Sequence, residues 1–350
     1  MTGTPPRAPA SATPFQREFL NILADGDPRA AARLANRLVN AGVPLSSVVL
    51  DLLAPAQVEV GRRWQVADWT VAHEHAATAA TDAALAAAVL YGGSRHEFAP
   101  HGPTLVVACA EGEWHTMPSR MAAEVLTAAG LRVTLLGPSL PAAHLQTYLT
   151  MVQPTALGLS CTLPLNLPGA RRCVLAAHEV GVPVIAAGRA FGVDGRRARA
   201  VGADCWEPPF TAIPHLLAGW QQEPPVLRTP VPEPVETSRL DTLGPGFVHA
   251  VVDELIRARP EVAGYDKRQL ERTREDVDYI RRFLSCALLI DDSTLFTDFV
   301  SWLRDLLAAR GVARDVLVDS LRAIYRELGD GLPATRALLD RSLDVLKDQP

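Results

Sequence analysis

Glu113-Trp114-His115 follows the apolar run Leu105-Val106-Val107-Ala108-Cys109 and precedes a helix-compatible segment that starts near Pro118. The run is rich in β-branched and aliphatic residues and fits a buried strand. The tripeptide therefore falls in a loop at a strand's carboxyl end, the edge where open α/β sheets bind ligands. An imidazole there can ligate a metal through one nitrogen, while a carboxylate two residues earlier holds the proton of the other and fixes the tautomer. Taken alone, such a pair is more often an ordinary loop contact. Three further groups raise its weight. Trp64 is followed, after nine residues, by Glu74-His75; an indole offers a flat apolar wall and a carboxylate accepts hydroxyl protons. Ser160-Cys161-Thr162 and Ala187-Gly188-Arg189 close two more strand-like runs. Small hydroxyls there bind polar ligand atoms or merely cap turns, and glycine permits close backbone approach.

The elements that position these residues follow from periodicity. Residues 15–91 are helix-compatible almost throughout, with Asp27-Pro28 and Val43-Pro44 as helix starts, Gly26 and Gly42 as stops, and a long Ala-rich segment from Thr70 to Leu90. From Pro103 to Trp220, strand-like runs at 104–109, 132–136, 155–160, 182–187 and 203–206 alternate with helix-like segments at 118–129, 141–152, 167–180, 193–200 and 211–220. This alternation predicts a five-stranded parallel sheet covered by helices, in the flavodoxin-like or Rossmann-like order 2-1-3-4-5. His115, after strand one, and Ser160, at the end of strand three, would then border one crevice. Prolines 224, 225, 230, 232 and 234 mark a semi-rigid linker. Beyond it the pattern is helical, with apolar residues at Val277, Ile280, Phe283 and Leu284 and again at Phe299, Trp302, Leu303 and Leu306, and breaks at Gly311 and Gly329–Pro333. The expected organisation is a disordered tail (1–13), a four-helix bundle (14–95), an α/β domain (100–222), a linker (223–240) and an all-helical domain (241–350).

In their order along the chain, Trp64-x9-Glu74-His75, Glu113-x-His115, Ser160-x-Thr162 and Ala187-Gly188 resemble the cobalamin-binding module of the light-sensing adenosylcobalamin repressors, over roughly residues 14–222. The resemblance implies a bundle and a Rossmann-like domain around adenosylcobalamin. His115 would be the lower cobalt ligand in place of the nucleotide base, with Glu113 orienting it and Trp114, Thr116 and Met117 beside it. Trp64, Glu74 and His75 would cap the adenosyl group. Ser160, Thr162, Leu163, Ala187, Gly188 and Arg189 would contact the nucleotide tail. Three departures stand out: the family's glycine three residues after the histidine is Pro118, its Gly-Gly is Ala187-Gly188, and the histidine beside the Trp that takes the upper cobalt position after photolysis is Gln65.

The 350 residues, with 48% hydrophobic and 21% charged content, suit two or three globular domains. No apolar run approaches the roughly 18–20 residues of a membrane span, and Thr2–Pro14 has no signal-peptide core. Cysteines 109, 161, 173, 205 and 286 lack CxxC pairing and mostly lie in apolar runs, as in a cytoplasmic protein. A net charge of −5 gives no general attraction to nucleic acid, and only a short tail stands where the repressors carry a DNA-binding domain.

The C-terminal helices resemble a globin-like or phycobiliprotein-like domain and the corresponding half of photocobilins, which join a cobalamin photosensor to a biliverdin-binding domain. From residue 250 onward there is neither His nor Met, which removes the usual axial ligands of haem; a bilin needs none. Asp278, Tyr279, Arg281 and Arg282 are the candidate bilin contacts, and a charge-rich helix is equally a solvated face. Cys286 sits in an apolar run, so a non-covalent chromophore is expected. The resulting expectation is a photoreceptor rather than an enzyme, binding adenosylcobalamin and biliverdin, with light-dependent homo-oligomerisation and an unidentified effector partner. A corrinoid carrier for methyl transfer and a chromophore-free stress-signalling scaffold are the competing expectations.

Overall fold

The computed structural model describes residues 13–92 and 101–348, so most of the expected N-terminal tail lies outside the described residues. Within it are two compact units, one drawn from residues 13–92, 101–104, 117–135 and 210–218, the other from 105–116, 136–209 and 219–348.

The first unit is a helical bundle: α1 (Pro14–Asp25), α2 (Pro28–Asn40), the short α3 (Leu45–Ser47), which continues through a π-helical turn (Val48–Leu53) into α4 (Ala54–Gln65), and α5 (Val71–Gly92). Its boundaries follow the sequence. Thr13 and Gln16 form a reciprocal capping box at α1, Gly26 ends that helix in the left-handed conformation, and the Asp27 carboxylate caps α2 through Arg29 and Ala30 N–H. Phe19, Leu23, Leu34, Leu53, Val60 and Leu85 fill the core, with the small face of α5 at Ala77, Ala80, Ala84 and Ala88 among them. The same unit takes most of α6 (Thr116–Ala128), which adds Met121 and Val125 to that core.

The sheet comprises β1 (Thr104–Cys109), β2 (Arg132–Leu135), β3 (Ala156–Ser160), β4 (Val184–Ala187) and β5 (Cys205–Trp206), in the order β2-β1-β3-β4-β5. The expected fold order is thus observed. Cys109 pairs with Ser160, and Ser160 with Ala187, in parallel register. The carboxyl ends of β1, β3 and β4 therefore lie side by side. The intervening helices are α7 (Ala142–Val152), α8 (Leu167–His178), α9 (Arg196–Ala200) and α10 (Ile213–Gln222). Several boundaries differ from expectation by one to three residues, and two of them have a clear local cause. Helix α6 begins at Thr116, so Pro118 falls within its first turn, where a missing N–H leaves no helical bond unmade. Strand β4 begins at Val184 rather than 182, because the Val182 N–H turns back to the Ala177 carbonyl at the end of α8.

The proline-rich segment is shorter than expected and is not a free spacer. Helix α11 (Val235–Thr242) already starts within the anticipated 223–240 span. Before it, Arg228 N–H donates to Asp204 Oδ1 (2.8 Å), Val231 N–H to the Ala200 carbonyl (3.0 Å), and Arg171 Nη1 to the Val231 carbonyl (2.6 Å). Proline density says how extended a segment is, not whether its remaining donors and acceptors meet partners. The helices that follow are α12 (Pro245–Ala258), α13 (Pro260–Ala263), α14 (Lys267–Leu289), α15 (Ser293–Ala308), α16 (Arg314–Glu327) and α17 (Pro333–Asp348). They share one continuous core with the sheet, joining Leu159, Cys173 and Phe191 to Leu284, Cys286, Phe296 and Leu321.

Candidate functional site

Glu113 has no exposed surface, an unusual place for a carboxylate. Five donors surround it. Oε1 accepts the His115 backbone N–H (2.9 Å) and faces His115 Nδ1 (2.6 Å); Oε2 accepts the N–H groups of Thr162 (2.8 Å) and Leu163 (3.0 Å) and the amide Nδ2 of Asn166 (3.1 Å). The loop after β1 is thereby clamped to the loop after β3. Burial alone would push this carboxyl up; the bonds from the His115 side chain and backbone and from Leu163 and Thr162 outweigh it and hold it down to about 2. An ionised acceptor at 2.6 Å requires the proton on Nδ1. In the uncharged form of the ring the lone pair then lies on Nε2, and the side chain is half exposed. The arrangement preorients an imidazole of the kind that can ligate a metal through one nitrogen.

The loop reaches this shape because α8 comes close. A Cβ on Gly169 would stand 1.9 Å from the Glu111 carbonyl oxygen, so only glycine fits there. Glu111 itself accepts from Arg172 Nε (3.1 Å), and Gly112 N–H donates to Ser139 Oγ (3.1 Å).

The other expected tail contacts are gathered at the same sheet edge. Ser160 is buried at the end of β3, Thr162 is half-buried, and Leu163 and Ala187 are exposed. Gly188 carries φ +118°, and a Cβ there would stand 2.3 Å from the Cys161 carbonyl oxygen. Strand-to-strand approach within the protein is thus already enough to demand glycine. Arg189 and Trp114 are exposed, the latter at 72%. Thr116 opens α6, and Met117 packs against the bundle core, which accounts for a side chain expected beside the ligand.

In the bundle unit, Trp64 is half-buried near the end of α4, whereas Trp69 is the core indole, packed under the Arg63 guanidinium. Glu74 Oε2 lies 2.5 Å from His75 Nδ1, and Glu74 Oε1 accepts the Thr78 hydroxyl (2.9 Å). The Thr78 hydroxyl also lies 3.2 Å from Gln57 Oε1, whose own amide donates to Thr81 Oγ1 (2.7 Å). His73 is different: its Nδ1 accepts the Thr70 N–H (3.2 Å), which places its proton on Nε2. Of these two histidines, His75 is the one whose Nδ1 faces a carboxylate.

On α14, Asp278 and Arg281 pair with each other (2.8 Å), and Arg281 also donates to the Leu240 carbonyl (2.7 Å). This corrects the expectation that Arg281 is on offer to a propionate, for its fork is already engaged. Tyr279 is 46% exposed, and the Arg282 guanidinium stands 5.9 Å from its ring centroid. Cys286 is buried against the Leu165 carbonyl, and burial pushes its thiol up to about 12. It is no nucleophile for a covalent link.

Asn166 was not singled out by sequence reasoning. It is buried, and it lies 53 positions from the carboxylate it serves. The available signal was its place six residues after Ser160, just before α8.

Among the described residues, no group of three or more His, Cys, Asp or Glu side chains could hold a metal ion, and no helix is long and apolar enough to cross a membrane. A lone oriented imidazole suits a metal that arrives with its other ligands. Residues 16–88 and 103–213 match two family models, each described as a B12 binding domain. The chain is 36% identical over 124 residues to the HTH-type transcriptional repressor CarH of Myxococcus xanthus; the match covers 35% of this chain and 39% of CarH, so it spans about two fifths of that relative. The fold is also that of the monomethylamine corrinoid protein of Methanosarcina barkeri, with a TM-score of 0.50 and 15% identity over 59% of this chain and 97% of the other. Residues 16–88 and 103–213 accordingly form a cobalamin-binding module.

Proposed function

We propose that this protein is a cytoplasmic photoreceptor that binds adenosylcobalamin with His115 as lower cobalt ligand, and biliverdin in its globin-like C-terminal helices. The observation that carries the first half is the buried Glu113 carboxylate, which holds the His115 proton on Nδ1 and leaves the Nε2 lone pair for cobalt. When bound, the cofactor supplies a photolabile cobalt–carbon bond. The protein's part is to bind and to orient. His115 displaces the nucleotide base, the β3 and β4 ends receive the nucleotide tail, and Trp64, Glu74 and His75 shield the adenosyl face. The adenosyl form is supported by the likeness to CarH together with the Trp64-x9-Glu74-His75 spacing. Release of the adenosyl group alters the bundle and with it self-association, which an effector protein reads. No catalytic group is required, and neither nucleic acid nor membrane takes part.

The decisive experiment loads the purified chain with adenosylcobalamin and follows its visible spectrum under green light, with size-exclusion chromatography in dark and light. A light-driven spectral change with altered elution is expected, and His115→Ala should weaken binding and abolish imidazole ligation. A light-inert adenosylcobalamin complex that exchanges methyl groups with a methyltransferase would instead establish a corrinoid carrier. For the second half, biliverdin added to the full chain should give red-shifted, intensified absorption without a zinc-fluorescent band after denaturing electrophoresis. Preference for haem, or binding of neither tetrapyrrole, would refute it.

A further inference from the structure

Helical threonines commonly give their hydroxyl proton to the carbonyl four residues back. Thr81, Thr127, Thr147, Thr150 and Thr273 do so here, at 2.8–3.0 Å. Thr78 on α5 is turned instead toward side chains. Its hydroxyl lies 2.9 Å from Glu74 Oε1, one helical turn back on the same face, and 3.2 Å from Gln57 Oε1 on α4. The orientation of the Gln57 amide follows from its neighbour. Thr81 commits its proton to the Ala77 carbonyl (3.0 Å), so the group 2.7 Å from Thr81 Oγ1 must be the Gln57 NH2. The amide oxygen is thereby aimed at Thr78, and one hydroxyl proton faces two acceptors. The Glu74 carboxylate is the nearer and the stronger of the two, and takes it.

Glu74 is thus held at both oxygens. Thr78 donates to Oε1, and His75 Nδ1 stands 2.5 Å from Oε2. The two anchors are unequal. The His75 side chain is 75% exposed, so water competes for its contact. Thr78 is half-buried and β-branched, and the helix restricts its rotamer. A carboxylate offers about four lone-pair sites, so each oxygen of Glu74 keeps one free. Two fixed, adjacent acceptors suit two neighbouring hydroxyl groups, such as those of a ribose; a methyl group presents no donor to them.

We propose that Thr78 is a positioning residue: by holding the Glu74 carboxylate, it makes the module select a ribose-bearing cobalamin over methylcobalamin. This rests on the function proposed above, in which Glu74 shields the adenosyl face. Without the Thr78 hydroxyl, Glu74 is a long side chain that must be ordered as the ligand arrives, which weakens binding by about fivefold.

The test uses the full chain, kept dark, and absorbance titration with adenosylcobalamin and with methylcobalamin. Thr78→Val keeps the side-chain shape and removes the hydroxyl; affinity for adenosylcobalamin should fall about fivefold, with that for methylcobalamin unchanged. Thr78→Ser retains the hydroxyl and should keep the wild-type ratio of the two affinities. Gln57→Leu separates positioning from bundle packing. It too breaks the contact between α4 and α5, but it leaves the Thr78 proton to Glu74, so the wild-type ratio should persist. Circular dichroism melts of each variant check folding. Equal discrimination in wild type and Thr78→Val overturns the positioning role, and so does an equal loss in Thr78→Val and Gln57→Leu. Glu74→Ala examines the premise separately. Should wild type bind no adenosylcobalamin, or should Glu74→Ala discriminate as wild type does, the placement of Glu74 at the adenosyl face fails, and the role of Thr78 with it.

Discussion

Replacing Glu113 with glutamine exchanges one carboxylate oxygen for an amide that donates, in a pocket whose five partners are all donors. Two orientations are open to the new side chain. With its NH2 toward the β3 loop, it opposes the N–H groups of Thr162 and Leu163 and the Asn166 amide, leaving two buried backbone donors unmet. With its NH2 toward His115, it opposes only the His115 N–H, and the imidazole adapts by moving its proton to Nε2. The second orientation is the less costly and is the one expected. One unmet backbone donor costs about 1–3 kcal/mol, and bonds to a charged acceptor are worth about 1.5–3 kcal/mol each, part of which the neutral amide retains. A net loss of about 3 kcal/mol follows. The carboxyl's own position leads to the same size: it is held at about 2 against an ordinary 4.5, a difference of about 3 kcal/mol. The cobalamin-free variant should therefore fold and melt earlier. The tautomer change has the larger functional effect, because Nε2–H cannot ligate. Cobalamin affinity should fall about 10–100-fold, as for other groups that orient a metal-bound histidine, and the absorption spectrum should lose imidazole ligation. Assays are thermal melts followed by circular dichroism and absorbance titration with cobalamin. A Glu113→Gln protein that binds with wild-type affinity and an unchanged spectrum would refute the claim that Glu113 sets the His115 tautomer.

Three further changes probe the scaffold. Gly188→Ala places a Cβ 2.3 Å from the Cys161 carbonyl oxygen at φ +118° and should destabilise the sheet unit by about 2–4 kcal/mol; an unaltered melting curve would mean that the β3 and β4 ends yield easily. Arg197→Met leaves the buried Asp292 carboxylate without its 2.8 Å partner and should cost about 3–5 kcal/mol, most of which the added change Asp292→Asn should restore; no recovery in the double variant would show that the arginine's packing, not its charge, is what counts. Asp276 is raised from 3.8 to about 6, by burial first and the adjacent Glu275 second. The unfolded chain gives up this proton at lower pH than the folded one, so stability is whole below about pH 4 and falls as pH rises through about 6. Asp276→Asn should thus raise the stability at pH 7 by about 1–2 kcal/mol, discounted for partial exposure, with a higher melting temperature, and leave both unchanged at pH 4; equal melting at pH 7 would show the carboxylate to be freely solvated.

Much of this was legible in the chain. Alternating apolar runs and helix-like segments implied the sheet and its strand order, because parallel strands buried on both faces must be continuous and separated by covering helices. Gly26 and Asp27 announced helix ends, since capping is local chemistry. The Glu113–His115 pair was readable for the same reason: two residues in one loop cannot escape each other. Asn166 was not, because its bond to Glu113 spans 53 positions and no periodicity marks it. Nor was the engagement of Arg281, whose partner carbonyl at Leu240 lies on a helix that composition assigned to a linker.

That linker changes how the C-terminal helices relate to the site. A free spacer would make them an appended module whose state has no route to His115. Instead Asp204, itself buried, accepts from His178 (2.9 Å), from the Val184 N–H (2.7 Å) and from the Arg228 N–H (2.8 Å), fastening the connecting segment to the start of β4. Cys286 of α14 reaches the Leu165 carbonyl, one residue before Asn166. Helix α14 is therefore built into the loop that holds Glu113. A displacement of α14 must move either that loop or the core they share, and rigid packing favours the loop. Whatever binds along α14 is placed to act on His115 through structure already in contact with it.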